Sequence, residues 1–225
     1  MADAEFSLGA PLAVFDLDGT ITRRDSLVPY LAGFLLRHPW RAPRLLLALP
    51  IMLAYLVGRA DRGALKGALM HHLLGGLGRT AIDDWSALFV PRLMHHGLFA
   101  EALAAIAKHR AAGAHLVLLS ASPDLYVPLV GEALGFDETI CSRVLWRDDG
   151  FLDGHLDGAN CRGPEKVRQL QLLLQRLTPA HTVAYGNSDA DLAHLALVEE
   201  GTYVNGPAAA ALPTNIRRVT WSHRN

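Results

Sequence analysis

Along the second half of the chain, short apolar runs alternate with longer stretches in which apolar residues recur at helical spacing. A short apolar run bounded by polar turn residues predicts a strand buried on both faces, and a longer periodic stretch predicts a helix. Strands that alternate with helices predict an α/β fold with a Rossmann-like parallel sheet. The predicted strands lie at residues 12–15, 115–119, 139–142 and 181–185, with weaker candidates at 201–204 and 217–221.

Between the first strand and the second, the pattern is helical and strongly apolar. We predict a helical cap domain over residues 22–96, inserted into an α/β catalytic core formed by residues 1–21 and 97–225. Farther along, two Asp-Gly pairs within residues 144–156 predict a β-hairpin flap.

Local signals predict where several helices begin, because short polar side chains satisfy the first backbone N–H groups. The predicted caps are Asp25 or Ser26, Asp61, Thr80 with Asp83 as a capping box, and Ser122 followed by Pro123. The alanine run at residues 208–211 predicts a helical turn.

The first predicted strand ends at two carboxylates, Asp16 and Asp18, followed by Gly19 and Thr20. Two like charges at the end of a buried strand are costly unless a cation, a raised pKa or dipoles offset them. The carboxyl ends of strands in open α/β sheets are also where ligands bind. The pair therefore predicts a divalent-metal and nucleophile site, with a solvated Asp-Gly turn as the alternative.

Ser120 and Lys166 are two further polar residues at predicted strand ends or helix starts. Ser120 precedes a helix N-terminus, where backbone N–H groups favour an anion, although it could simply end the strand. Lys166 lies in the first turn of a helix, where a cation opposes the helix dipole. A shared phosphate would remove that conflict, and a surface lysine paired with Glu165 is the alternative.

Asn187, Asp189 and Asp191 follow the strand that ends at Tyr185. Oxygen ligands at this spacing suit a hard cation such as Mg2+. The alternative is local, because Ser188 with Asp191 forms a capping-box pattern and Asp189 is a common kind of helix-start carboxylate.

Composition limits the function classes. The formal net charge is -1, with 21 basic and 22 acidic residues, which argues against a general nucleic-acid partner. The two cysteines, Cys141 and Cys161, form neither a disulfide framework nor a zinc pattern and fit free thiols in a reducing compartment. Residues 1–6 are acidic and predict no signal peptide, so we expect a cytoplasmic protein.

Taken together, the order D-x-D-G-T, strand-Ser, helix-start Lys and strand-G-N-S-x-x-D resembles the haloacid dehalogenase-like (HAD) phosphatases. The four motifs span Asp16 to Asp191. The helical block between the first two motifs is similar to the cap of the phosphoserine-phosphatase-like branch, subfamily IB. The segments at residues 120–123, 161–167 and 185–188 resemble that branch too.

The resemblance implies a phosphatase that works through an aspartyl-phosphate. Asp16 is the implied nucleophile, and Asp18 the implied general acid and later the base for water. Ser120 and Lys166 are implied to neutralise the phosphoryl oxygens. The implied phosphate-binding residues are Ser120, Ala121, Ser122 and Lys166.

The resemblance also implies a Mg2+ cofactor near Asp16, the backbone carbonyl of Asp18, Asn187 and Asp191. Asp191 would orient a metal-bound water or the lysine. Many family members have Asp where this chain has Asn187. An amide oxygen still binds Mg2+ with one less negative charge, so we expect weaker metal binding and an active enzyme.

The cap contains Leu45 to Val57, thirteen residues without charge, with arginines on both sides. The segment is too short to span a bilayer upright. It could contact an anionic membrane from the cytoplasmic face of the inner membrane, or pack inside the cap. The arginine-rich, Pro-containing break, the apolar run with Pro50 and the C-x-G-x-E-K-V motif at 161–167 resemble the phosphatidylglycerophosphatase C family. That resemblance implies a lipid phosphate, with a small soluble phosphomonoester such as phosphoserine or histidinol phosphate as the alternative.

Two other function classes stay open. A non-catalytic phospho-acceptor also combines an acidic cluster with Ser or Thr and Lys, but a helical insertion of ~75 residues is unusual in compact α/β units. A membrane-bound interaction protein with an inactive site is the other. The histidine pairs His71-His72 and His95-His96 are not predicted to bind a metal alone, because adjacent helical side chains point about 100° apart.

Overall fold

The computed structural model describes residues 9–206 and 212–222. The predictions for residues 1–6 and 208–211 lie outside the described residues. Six strands form one parallel sheet in the order β3-β2-β1-β6-β7-β8, and β4 and β5 form a separate antiparallel hairpin. The predicted α/β fold is therefore confirmed. The strands are β1 Leu12–Phe15, β2 His115–Pro123, β3 Glu138–Ser142, β4 Val144–Trp146, β5 Leu152–Leu156, β6 Thr182–Gly186, β7 Glu200–Val204 and β8 Ile216–Val219.

Eight α-helices and one 3₁₀ segment complete the part of the chain between residues 9 and 222 that is described. The helices are α1 Leu27–Arg37, α2 Leu49–Leu56, α3 Arg62–Leu74, α4 Arg79–His96, α5 Ala100–Ala111, α6 Val127–Leu134, α7 Pro164–Leu177 and α8 Asp189–Leu195, and the 3₁₀ segment spans Pro39–Ala48.

Strand β1 lies in the centre of the sheet, and all four of its residues are buried. Ala13 and Phe15 belong to one hydrophobic cluster, and Leu12 and Val14 belong to another on the opposite face. Alternate side chains of a strand point to opposite faces, so a strand covered on both sides has to be apolar throughout. This is why the sequence shows an unbroken apolar run.

The chain leaves the core near Thr22 and returns at Leu98, where the two residues form an antiparallel bridge. Between them, buried polar contacts join α1 to α4 and α4 to the core. Tyr30 Oη lies 2.8 Å from Ser86 Oγ, and Ser86 Oγ donates to the carbonyl of Leu125 at 2.7 Å. The exact division of the chain into domains stays a prediction.

The β4–β5 hairpin, which we call the flap, packs against α3 of the cap. At Gly154 the two backbones approach so closely that an added Cβ would lie 2.6 Å from the Cα of His71. Gly154 also has a φ of 97°, which disfavours any other residue. The flap and α3 are therefore in direct backbone contact.

The apolar run Leu45–Val57 is split between the end of the 3₁₀ segment and α2. Helix α2 has no buried residue, and its leucines Leu53 and Leu56 are 61% and 77% exposed. Only Ala48 of the run is buried. Packing inside the cap therefore does not account for this surface. None of the helices in residues 9–206 and 212–222 is both long and apolar enough to cross a membrane.

The predicted cap at Ser122 is wrong. Ser122 and Pro123 belong to β2, where Pro123 pairs with Ser142, and α6 begins only at Val127. The hydroxyl of Ser122 donates to Asp18, so a long-range contact takes the place of the local cap.

Other helix starts agree in part with the predictions. Asp61 caps α3 by accepting from Ala64 N at 2.7 Å, as predicted. Asp25 accepts from Val28 N at 3.0 Å at the start of α1. The capping box at Thr80 is wrong, because α4 begins at Arg79 with Gly78 as its N-cap and no side-chain cap.

The contrast between buried and exposed leucines in the cap gives a stability prediction. Leu73→Ala, at a side chain 1% exposed, should lower the free energy of unfolding by about 2–5 kcal/mol. Leu56→Ala makes the same chemical change on the exposed face and should alter it by less than about 0.5 kcal/mol. Urea unfolding measures both. Equal losses would mean that α2 is packed in solution.

Candidate active site

The polar residues predicted at strand ends converge at the carboxyl end of β1, between β2 and β6. This is a point where successive connections leave in opposite directions, and such points form ligand crevices. A cleft of about 350 Å³ opens here. Its lining comes from both core and cap and includes Asp16, Asp18, Ala121, Ser122, Lys166, Asn187 and Asp191 from the predicted set, together with Arg62 and Lys66 of α3.

Lys166 is the central charge of the site. Its Nζ donates to Asp16 Oδ1 at 2.5 Å and to Asp191 Oδ1 at 2.8 Å, and its side chain is 2% exposed. Burial alone would lower the pKa of Lys166, but the charges of Asp16 and Asp191 raise it above its ordinary value. The ammonium therefore stays charged at neutral pH.

Asp16 is buried, and its ionised carboxylate is stabilised less than that of Asp191. Its Oδ2 accepts from Thr20 Oγ1 at 3.0 Å. Burial raises the pKa of Asp16 to about 7, against the attraction of Lys166, and the charge of Asp191 adds to the rise. For Asp191, burial is outweighed by Lys166, so its pKa is lowered.

Asp18 is held by two hydrogen bonds from different parts of the chain. Ser122 Oγ donates to Oδ2 at 2.5 Å, and the backbone N–H of Ser26 donates to Oδ1 at 2.8 Å. Burial, and then the charge of Asp25, raise its pKa despite these hydrogen bonds. A raised pKa suits a carboxyl group that must donate a proton.

Ser120 lies deeper than its neighbours. It is fully buried, its Oγ accepts from Ser122 N at 3.0 Å, and it is not among the residues that line the cleft. The carbonyl oxygen of Ala121 accepts from Lys66 and from Ser142. The phosphate-binding roles of Ser120, Ala121 and Ser122 stay predictions.

Asn187, in the loop after β6, and Asp191, at the start of α8, also line the cleft. An added Cβ on Gly19 would lie 2.0 Å from Asn187 Nδ2, so the amide contacts the backbone just after Asp18. Asp191 completes the predicted capping box with Ser188, and its Oδ2 also accepts from Asn187 N at 3.3 Å. Because both oxygens of Asp191 accept hydrogen bonds, its role as a direct metal ligand stays a prediction. Asp189 accepts from Tyr203 Oη.

The donor set fits a divalent cation. Asp16, Asp18 and Asp191 bring three carboxylates to the cleft, and Lys166 is the cation paired with Asp16 and Asp191. Burial is the main cause of the raised pKa of Asp16, and the charges of Asp191 and Asp18 add to it. Carboxylate, carbonyl and amide oxygens are the ligands that Mg2+ accepts, and a divalent cation beside Asp16 would favour its ionised form.

Lys66 reaches the cleft from the cap and was not predicted as a site residue. Its Nζ donates to the carbonyl of Ala121 and to Asn160 Oδ1, the latter at 3.1 Å. Burial lowers its pKa, against the pull of Asp18 and Asp25. A lone lysine inside a helix usually indicates a solvated face, so only the tertiary structure reveals this contact.

Comparison with known families agrees with this arrangement. The family model of haloacid dehalogenase-like hydrolases matches residues 13–196, which include every predicted site residue. The chain belongs to this family. Protein CicA of Caulobacter vibrioides is 36% identical over 200 residues, which cover 85% of each chain.

Solved structures of low sequence identity share the fold. A protein of unknown function from Bordetella pertussis Tohama I has a TM-score of 0.75 at 24% identity, over 89% of this chain and 92% of that one. A substrate-bound phosphoserine phosphatase has a TM-score of 0.63 at 16% identity, over 90% and 89%. The predicted HAD membership and the phosphoserine-phosphatase-like fold are confirmed.

The buried contacts of Lys166 with Asp16 and Asp191 give a prediction that can be tested without an activity assay. Lys166→Met leaves Asp16 and Asp191 without a cation and should lower the free energy of unfolding by about 3–5 kcal/mol at neutral pH. Both carboxyl groups then have folded-state pKa values above their unfolded values, so stability falls as pH rises. The deficit should therefore be smaller near pH 5 than near pH 8.

Urea unfolding at both pH values measures this effect. Lys108→Met removes an exposed lysine of α5 and is the matched control, with little expected change at either pH. A deficit that does not vary with pH would contradict the electrostatic account.

Proposed function

We propose that the chain is a Mg2+-dependent phosphomonoester hydrolase that acts through an aspartyl-phosphate on Asp16. The observation that carries this proposal is the buried contact of Lys166 with both Asp16 and Asp191, next to an independently held Asp18. A phospho-acceptor without turnover would need no second acid, and the raised pKa of Asp18 supports a proton-transfer role.

The first half-reaction transfers the phosphoryl group to the protein. A carboxylate oxygen of Asp16 forms a bond to phosphorus while the bond to the leaving oxygen breaks, and Asp18 donates a proton to that oxygen. Lys166, held by Asp191, offsets charge on the phosphoryl oxygens.

In the second half-reaction, Asp18 accepts a proton from water as the water oxygen bonds to phosphorus. The bond from phosphorus to Asp16 breaks, so inorganic phosphate and the free carboxylate are regenerated. When bound, Mg2+ would be held by Asp16, the carbonyl of Asp18 and Asn187, and would supply positive charge to the phosphoryl group.

Replacement of the nucleophile tests the proposal. Asp16→Asn should reduce Mg2+-dependent phosphate release by at least about a thousandfold, because an amide does not form the phosphoenzyme. Circular dichroism should show that the fold is retained. Asp189→Asn is the matched control and should retain activity, since Asp189 is the first residue of α8 and does not line the cleft.

Phosphate release by Asp16→Asn at the wild-type rate would rule out Asp16 as the nucleophile. The absence of release from all substrates tested with the wild type, even at high Mg2+, would overturn the phosphatase proposal.

The surroundings of the cleft support a substrate with a second anionic group besides the phosphomonoester. Besides Lys166 and its carboxylate neighbours, the cleft is lined by one further acid, Asp25, and by five cations: Arg23, Arg24, Arg62, Lys66 and Arg162. A groove of about 1240 Å³ adjoins the cleft and shares Arg62, Asn160 and Arg162 with it. A phosphodiester beside the phosphomonoester, as in phosphatidylglycerophosphate, would match these cations.

The exposed apolar face of the cap supports a lipid-bound substrate. Tyr55 of α2, the helix whose leucines are exposed, lines the groove, so a lipid head group could extend from that helix to the cleft. Arg44 and Arg59 are exposed near the two ends of the apolar segment and suit anionic lipid. Arg41 donates to the carbonyl of Leu73 at 2.9 Å, and Arg44 donates to the carbonyl of Gly75 at 3.4 Å.

We therefore propose peripheral binding to the cytoplasmic face of an anionic inner membrane through α2. The double variant Leu53→Ser and Leu56→Ser should bind phosphatidylglycerol vesicles severalfold less and hydrolyse phosphatidylglycerophosphate in them severalfold more slowly. Its rate on phosphoserine or histidinol phosphate in solution should not change. Leu172→Ser, an exposed leucine of α7, is the matched control.

Vesicle sedimentation and phosphate release measure these effects. Rapid hydrolysis of a small ester, with no vesicle binding and no lipid hydrolysis, would favour the soluble alternative and contradict the membrane proposal.

A further inference from the structure

Three polar side chains converge where the flap contacts the cap, outside the catalytic cleft. They are His71 of α3 and Asp153 and His155 of β5, and one ligand atom of each lies within 4.8 Å of the other two. Asp153 and His155 are two residues apart on a strand, so they share a face. The contact between Gly154 and the backbone of His71 brings the third group to them.

The hydrogen bonds of the cluster orient both imidazole rings around Asp153. His155 Nδ1 lies 2.6 Å from Asp153 Oδ1, and His71 Nδ1 lies 2.8 Å from the carbonyl oxygen of Asp153. The two ring centroids are 4.3 Å apart. His71 Nδ1 also lies 3.7 Å from Asp153 Oδ1, so the Nδ1 atoms of both rings face the same carboxylate oxygen, and an imidazole nitrogen binds metals in its unprotonated form.

Two imidazoles and one carboxylate are a ligand set that suits Zn2+, with water completing the coordination. The cluster is partly exposed, so a cation and its water can reach it. We propose that His71, Asp153 and His155 bind a transition-metal ion of the Zn2+ class that joins the flap to α3. This site is independent of the proposed catalytic Mg2+ and is not used in the reaction.

Cobalt titration of the untagged full chain tests the proposal, since Co2+ reports its ligands by visible absorption and is displaced by Zn2+. We expect one such site per chain in the wild type and also in Asp16→Asn, which alters the cleft only. His71→Ala and His155→Ala should each weaken Zn2+ binding by at least about tenfold. Zn2+ should raise the melting temperature of the wild type more than that of either variant.

His95→Ala is the matched control, because it removes an exposed histidine of the other pair and should bind Zn2+ as the wild type does. The His155 side chain is 54% exposed, so its replacement should leave the fold intact. Unchanged Zn2+ affinity in both His71→Ala and His155→Ala, or no saturable binding in the wild type, would overturn the proposal. Neither result bears on phosphate release.

Discussion

Lys166 carries its ammonium group into the interior, where Asp16 and Asp191 both accept hydrogen bonds from it. Such a charge is tolerated only when its partners are fixed, because breaking a buried pair leaves an uncompensated charge. Three elements therefore have to keep their positions: the end of β1, the first turn of α7 and the start of α8. The capping box between Ser188 and Asp191 fixes the last of these, so a local helix signal also positions a group of the site.

Sequence reasoning succeeded where the structure follows from strand order and local chemistry. The carboxyl ends of parallel strands lie at one edge of a sheet, and Asp16 and Asp191, predicted beyond two of these ends, both contact Lys166. A local prediction is wrong where a distant hydrogen-bond partner competes with a local one. Ser122 has the sequence features of a helix cap, but its hydroxyl hydrogen-bonds to Asp18 and its backbone continues β2.

The cap was harder to predict than the core, because apolar and charged residues in helices do not reveal which face meets a partner. Lys66 has the pattern of a solvated lysine but contacts Ala121 in the cleft. The apolar residues of α2 have the pattern of a buried helix and are exposed. In both cases tertiary packing determines which side chains are buried, and packing depends on helix positions that periodicity does not determine.

Helix α3 connects the cap, the flap and the cleft. Asp61 caps its N-terminus, and Arg41 donates to the carbonyls of Leu73 and Gly75 at its other end. Between these ends it presents Lys66 to the cleft and contacts the flap backbone at Gly154. A contact between two backbones cannot slide without a clash, since neither side can change rotamer. A displacement of α3 relative to the core would therefore affect its contact with the flap at Gly154 and the hydrogen bond from Lys66 to the carbonyl of Ala121 together.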